Sequence, residues 1–276
     1  MSTIPPPAAV NPVVDYYTHV IDERERLRHD IGPLEQARTR ELIQRYLPPP
    51  PVTVFDVGGA SGPYAFWLAE LGYAAHLIDV VPRHIEQARA LAAQPGAPQL
   101  ASAAVGDARA LDLPDACADA VLMHGPLYHL AERADRLLAI GEARRVLRPG
   151  GVLLAFGITR YAGLIYGLTA GHVFDRDYMR MIAHEVRTGH RQNAPAWMAT
   201  FPNAYFHLPD ELVAEVREGG LRCEGALGVI GPAWLAPDLA ASWADEAQRE
   251  TFLEAARLTE HEPALGARIL AVGGKE

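Results

Sequence analysis

Lysine is almost absent from this chain: Lys275 is the only one, and arginine supplies the rest of the 25 basic side chains. Against 34 acidic residues this leaves a net charge of −9 and a pI near 5.7. No broad basic surface is on offer, which argues against nucleic acid as a partner; a local basic groove inside an acidic total is all that the balance allows. Cysteine is also scarce. Cys117 and Cys223 stand far apart and in no CxxC spacing, so a disulfide framework and a thiolate zinc site are both unexpected. No run approaches the ~20 apolar residues of a membrane span. The opening Met1-Ser2-Thr3-Ile4-Pro5-Pro6-Pro7 has neither the charged nor the apolar segment of a secretory leader. The expectation is a soluble, cytoplasmic protein with no membrane partner.

What is present is an ordinary globular composition, 49% hydrophobic and 21% charged, over 276 residues. That length supports one large core, or one core with an added subdomain. Residues 1–12 read as a loose Pro- and Ala-rich tail. A helix is expected from Val13 to about Arg28, with Asn11 as its cap and Pro12 at its first position. A second helix runs from Pro33 to Leu47 and is stopped by Pro48 to Pro51.

From Val52 onward strands and helices alternate, which predicts a parallel sheet covered on both faces. The strands are expected at Val52–Val57, Ala74–Val80, Leu100–Val105, Asp119–His124 and Val152–Ile158. Leu221–Ile230 and Ala267–Val272 follow after further helices at Pro209–Gly219 and around Glu246–Leu258. Between Tyr161 and Asn203 no strand signal occurs, and Phe174–Arg187 reads as helix. So long a departure from the alternation is expected to be a helical insert with a function. The predicted organisation is one domain over 1–276: an N-terminal helical cap (1–50), a core (51–160), the insert or lid (161–203), and the C-terminal part of the sheet (204–276).

Four features fall at the carboxyl ends of successive strands, where open α/β sheets bind ligands. Val52 to Val57 runs into a Gly-rich turn, Gly58-Gly59-Ala60-Ser61-Gly62, that opens a helix and presents backbone N–H groups. Asp79, followed by Val80, ends the second strand and suits two ribose hydroxyls. Asp107, in Gly106-Asp107-Ala108, suits an exocyclic amine. His124-Gly125-Pro126-Leu127-Tyr128-His129 follows the fourth strand, beside the point where chemistry would occur. Any one of these could be a bare turn or cap; four in order point to a site.

In this pattern the chain resembles the class I S-adenosylmethionine-dependent methyltransferases, in particular their UbiE-like group. Asp56-Val57-Gly58-Gly59-Ala60-Ser61-Gly62 is similar to that family's first motif, with Ala60 in place of its middle glycine. A Cβ at that position is tolerated at negative φ. Asp79 matches the ribose-binding acid, Gly106-Asp107-Ala108 the adenine-binding segment, and Asp119–Leu122 and Leu147–Gly151 the later motifs. The resemblance is firm over about residues 50–160. It implies a Rossmann-like, doubly wound, seven-stranded sheet whose last strand is antiparallel. It also implies S-adenosylmethionine as cofactor, S-adenosylhomocysteine as product, and Asp56, Gly58, Gly59, Ala60, Gly62, Asp79, Val80, Gly106, Asp107, Ala108 and His124 as the cofactor's neighbours.

Methyl transfer mainly requires alignment of nucleophile, methyl and sulfur, with a base only where the nucleophile must lose a proton. His129 with Tyr128 is the candidate for acid–base or positioning work, and His124 is the alternative, balanced against a role as a strand cap. Tyr17 and Arg38, the latter as partner of a carboxylate, are candidates to close over the cofactor. His172, His184, His190 and His207 show no metal spacing, so no metal is expected. The insert's Tyr161, Tyr166, Phe174, Tyr178 and Trp197, with Tyr205 and Phe206 after it, are either an aromatic cover for a small acceptor or simply the insert's own core. The expected substrate is a small molecule methylated on oxygen, nitrogen or carbon, as in a biosynthetic or tailoring pathway. Two rivals remain, a cofactor-binding protein without turnover and an NAD(P)-dependent oxidoreductase. Nothing in the sequence sets the oligomeric state, and a homodimer is compatible with it.

Overall fold

The computed structural model describes residues 12–20, 27–198 and 203–276. Its framework is a seven-stranded sheet of β1 (Thr53–Val57), β2 (Ala74–Asp79), β3 (Ser102–Val105), β4 (Ala118–Met123), β5 (Leu147–Ile158), β8 (Arg222–Gly228) and β9 (Arg268–Gly274). The order is β3-β2-β1-β4-β5-β9-β8. β1 to β5 pair in parallel, and β9 runs antiparallel to both its neighbours. The two remaining strands, β6 (His190–Arg191) and β7 (Ala204–Tyr205), pair separately.

The central strands are apolar on both faces because both faces are covered. Val54, Leu77, Leu122, Leu154, Phe156 and Leu270 point to one side. There they meet α2 (Gly32–Tyr46), α3 (Pro63–Glu70), α4 (Pro82–Ala92) and, through Leu253, α11 (Glu246–Leu258). The alternate residues Phe55, Val57, Val121, Met123, Leu153 and Ile269 meet α6 (Arg133–Val146) and α9 (Pro209–Glu218) on the other. A strand buried on both faces reads as a near-continuous hydrophobic run, which is how β1 and β4 appear in the sequence apart from Asp56 and Asp119.

Proline has a clear local role. α1 (Pro12–His19), α3, α4, the single turn α5 (Pro126–His129) and α9 all open on it. Its fixed φ suits the first helical position, and its missing N–H would have had no partner there. Three expectations need correction. α1 ends at His19, and Leu27 to Ile31 are turns, so no helix reaches Arg28; its proposed cap, Asn11, lies outside the described residues. β5 starts at Leu147 and not at Val152, because Leu147 pairs with Ala118 and Gly150 N–H donates to Lys275 O. The stretch 161–203 also contains a strand, His190–Arg191, besides α7 (Ala162–Ala170) and α8 (Arg176–Thr188). Two residues are too short a run to show period-2 patterning.

The strand order reverses between β1 and β4, and the crevice at that switch point lies at the carboxyl ends of β1, β2 and β4. The rest of the fold, including the short α10 (Leu239–Ser242), lies around this frame. Among the described residues no helix is long and apolar enough to cross a membrane.

Candidate active site

The Gly-rich turn is shaped by groups beneath it. Gly58 has φ +72° and donates its N–H to Ile78 O at 2.7 Å, which lays the turn across the end of β2. A Cβ on Gly59 would sit 2.4 Å from Asp56 Cγ, so only glycine fits above that carboxyl. Gly62, at φ +87°, leads into α3, and a Cβ there would crowd Phe66 and Leu77. Asp56 and Gly62 therefore build the turn from below, whereas Gly58, Gly59 and Ala60 face the crevice. Burial pushes the Asp56 carboxyl up to about 7, and the nearby Asp79 charge adds to the rise.

Ala60 departs from the sequence expectation. Its φ is +51°, not negative, so it holds a left-handed conformation that costs an L-residue about 1–2 kcal/mol. The Ala60 N–H donates to Asp79 Oδ2 at 2.8 Å. This bond, between the β1 turn and the end of β2, offsets part of the strain.

Asp79 is a junction. Its Oδ1 accepts from Val81 N–H at 2.9 Å and meets His84 Nδ1 at 3.0 Å, and both side chains are buried. Val80 and Val81 line the same wall. Beyond β3, Gly106, Asp107 and Ala108 form the next part. Arg109 grips both Asp107 oxygens, Nε to Oδ1 at 3.0 Å and Nη2 to Oδ2 at 2.6 Å, and its Nη1 reaches Asp135 at 2.9 Å. The Arg109 hydrogen bonds hold the Asp107 carboxyl below its usual range.

The fourth side is aromatic. His124, at the end of β4, packs between Tyr64 (ring centroids 5.1 Å apart) and Phe156 (4.5 Å). α5 then brings Tyr128 and His129 to the wall. Tyr17 reaches across from α1, its hydroxyl 2.9 Å from His129 Nε2 and its ring 5.4 Å from that of His84. Loss of solvation pushes the His129 imidazole down to about 3, Asp79 opposing and Arg268 reinforcing, so it is neutral at ordinary pH. Behind this wall lies a buried charged group: Glu35 Oε2 takes Arg268 Nε at 3.2 Å, and the Arg268 guanidinium lies over the Tyr128 ring at 5.3 Å.

Together these walls enclose a cavity of about 380 Å³, within the usual range for a small-molecule site. It gathers Tyr17, Gly58, Gly59, Ala60, Asp79, Val80, Gly106, Asp107, Ala108, His124, Tyr128 and His129 from five separated segments. Arg38 is not among them. Its guanidinium is buried elsewhere, donating to Val229 O at 3.2 Å, to Glu260 at 3.0 Å and to Glu41, so it pins α2 to the region before β9. The insert's aromatics are not there either: of its described residues only Asn203 lines the cavity. Tyr178 is buried against Gly163 and lies near His172 and Trp197 in a cluster of their own. Sequence reading missed His84, Tyr64, Arg109, Glu35 and Arg268. The first three sit close to a motif and were legible as polar or aromatic residues one turn or less beyond it; Glu35 and Arg268 carry no local signal.

A family model described as "Methyltransferase domain" matches residues 55–155, the stretch that supplies most of these walls. Residues 55–155 carry a methyltransferase domain. It is 34% identical over 122 residues to a ubiquinone/menaquinone biosynthesis C-methyltransferase of Acidiphilium cryptum, covering 44% of this chain and 48% of the relative. It is 30% identical over 136 residues to nodulation protein S of Rhizobium tropici, covering 49% and 55%. The chain thus spans about half the length of the curated relatives it matches. Among solved structures, a methyltransferase of Methanosarcina mazei superposes with a TM-score of 0.59 at 19% identity, covering 85% of this chain and 96% of that one. The cyclase SpnF superposes with a TM-score of 0.54 at 19% identity, covering 87% and 80%. These two show the shared fold.

The residues present suit the domain's cofactor. The turn offers backbone at close approach, and Asp79 retains an acceptor position that the protein leaves unused. Asp107 and Ala108 stand one strand further along.

Proposed function

We propose that this chain transfers a methyl group from S-adenosylmethionine to a small-molecule acceptor with a nucleophilic oxygen, nitrogen or carbon. The observation that carries this reading is the cavity at the β1–β4 switch point, walled by the domain's motif residues on one side and by His124, Tyr128 and His129 on the other. Bound there, the cofactor supplies an activated methyl on a sulfonium, so the protein's task is alignment and proton removal. Gly58, Gly59 and Ala60 hold its amino-acid end, Asp79 its ribose, and Asp107 with Ala108 its base. Asp56 and Gly62 support the turn. Tyr17 covers the cavity, which with its small volume favours a small acceptor over a macromolecule.

His129 is proposed as the proton acceptor. Held neutral, it is a weak base, but a hydroxyl becomes strongly acidic as its oxygen bonds the methyl, and a weak base then suffices for an oxygen acceptor. Tyr17 occupies the nitrogen that would take the proton, so the acceptor must displace its hydroxyl. Tyr128, its ring tilted against that of His129 and covered by the Arg268 guanidinium, orients the wall. Labelled methyl transfer into a cell extract, with isolation of the product, identifies the acceptor. With that product in hand, His129→Ala is expected to keep S-adenosylhomocysteine binding and lose ~10²–10⁴-fold in turnover; an unchanged rate removes His129 from the chemistry. The alternative is a cofactor-binding protein that does not transfer methyl groups, and failure to label any product while binding persists would select it.

We also propose that the whole described chain works as one unit, with 1–50 as cap, 51–160 as core, 161–203 as insert and 204–276 completing the sheet. The sequence balance that argues against nucleic acid supports a free small-molecule partner.

A further inference from the structure

A carboxylate has about four acceptor positions, two on each oxygen. In this structure Asp79 has three of them filled. Oδ1 accepts from Val81 N–H at 2.9 Å and meets His84 Nδ1 at 3.0 Å, while Oδ2 accepts from Ala60 N–H at 2.8 Å. These are backbone and buried side-chain contacts that shape the turn and the start of α4, so they are not available for exchange with a ligand. One acceptor position remains. A ribose presents two hydroxyl donors side by side, so Asp79 alone cannot satisfy both.

The missing acceptor is next to it. His84 lies in the first turn of α4, is 4% exposed and is a wall residue of the cavity. Because a carboxylate only accepts, the imidazole in its neutral form carries its ring proton on Nδ1, facing Asp79. That makes Nε2 a lone-pair acceptor, and it has no hydrogen-bond partner among the described residues. The Tyr17 ring packs edge-on against the imidazole, 5.4 Å between centroids, and keeps it in this orientation.

We propose that His84 is a second ribose-recognition residue, its Nε2 accepting one hydroxyl of the cofactor while Asp79 Oδ2 accepts the other. The proposal rests on the cofactor reading given above. It makes His84 a specificity determinant: a nucleoside lacking one hydroxyl leaves a buried acceptor unpaired on this side of the cavity.

Isothermal titration of S-adenosylhomocysteine and of its 2′-deoxy and 3′-deoxy analogues tests this without turnover. His84→Asn places an amide near the position of Nδ1 and removes the Nε2 acceptor; His84→Gln places one near Nε2. His84→Asn is expected to weaken S-adenosylhomocysteine about tenfold. It should leave unchanged the affinity for whichever deoxy analogue lacks the hydroxyl that His84 receives. His84→Gln should retain most of the affinity. Equal binding by wild type and His84→Asn overturns the proposal. So does an equal loss for all three ligands, since that is what a merely structural prop for Asp79 would give. Failure of the wild type to bind S-adenosylhomocysteine at all would instead overturn the cofactor reading.

Discussion

At the scale of single residues, strain and burial concentrate under the Gly-rich turn. Ala60 holds φ +51° with a Cβ that glycine would not carry. Ala60→Gly should therefore raise stability, by about 1 kcal/mol in urea denaturation, the relief of left-handed strain exceeding the added freedom of the unfolded chain. A loss of stability would show that the Ala60 backbone is not strained. Asp56 gives a pH signature. Its carboxyl ionises at about 7 when folded against 3.8 in its unperturbed state, so folding favours the protonated form. Its contribution is greatest below about 3.8, falls as pH rises, and is gone above about 7. Asp56→Asn stays neutral throughout, so it should be the more stable protein above pH ~7, by a few kcal/mol, with the difference shrinking toward pH ~4. Melting curves across that range check it, and parallel pH profiles for the two proteins would contradict it. The positions of these residues were legible, since an acid and three small residues at a strand end announce a turn. The sign of φ at Ala60 was not, because it depends on Asp79 receiving the Ala60 N–H from nineteen residues away.

Among elements, the joint between α6 and α9 holds a buried charged pair. Arg136 is 1% exposed; it gives Nη2 to Glu215 Oε1 at 2.7 Å, Nε to Oε2 at 2.9 Å, and Nη1 to Ala131 O at 2.7 Å. His207 meets Glu215 Oε2 at 3.2 Å. Burial works to raise the Glu215 carboxyl, but these hydrogen bonds outweigh it and hold it at about 2. Removing the arginine strands that charge, so Arg136→Met should cost about 3–5 kcal/mol in denaturant unfolding. Adding Glu215→Gln should return much of the loss, because the uncompensated charge is then gone. Two variants that simply add would show that the pair is not coupled. Helix positions were largely legible from periodicity and proline: Glu246–Leu258 agrees to the residue, and α2 to within one at each end. Which helices are pinned together was not. Arg38, read as a cofactor ligand, is the clearest case: a charged helix face looks the same whether it meets solvent, a ligand or Glu260.

For the whole molecule, binding must appear as stability. A ligand at a hundred times its Kd adds about 2.7 kcal/mol to the folded state. S-adenosylhomocysteine and S-adenosylmethionine should therefore raise the melting temperature, NAD(P) should not, and Asp79→Ala should abolish the effect. A shift with NAD(P) alone, or an Asp79→Ala protein that responds normally, would remove the cofactor assignment. The domain matched by the family model covers the region where the sequence motifs were densest, residues 55–155, and the sheet order places their ends around one cavity.

What the sequence by itself determined is the alternation of strand and helix, the strand-end motifs and the class of cofactor. Each is written in neighbouring residues, as a period of two or 3.6 and as glycines where a chain must turn sharply. What only the tertiary structure decided is which side chains share the cavity and which are already engaged. His129 meets Tyr17 from 112 positions away, Arg268 meets Glu35 from 233, and all but one of the acceptor positions of Asp79 are taken, by Ala60, Val81 and His84. Hydrogen-bond saturation is a property of distances in space, and no local pattern in the chain encodes it.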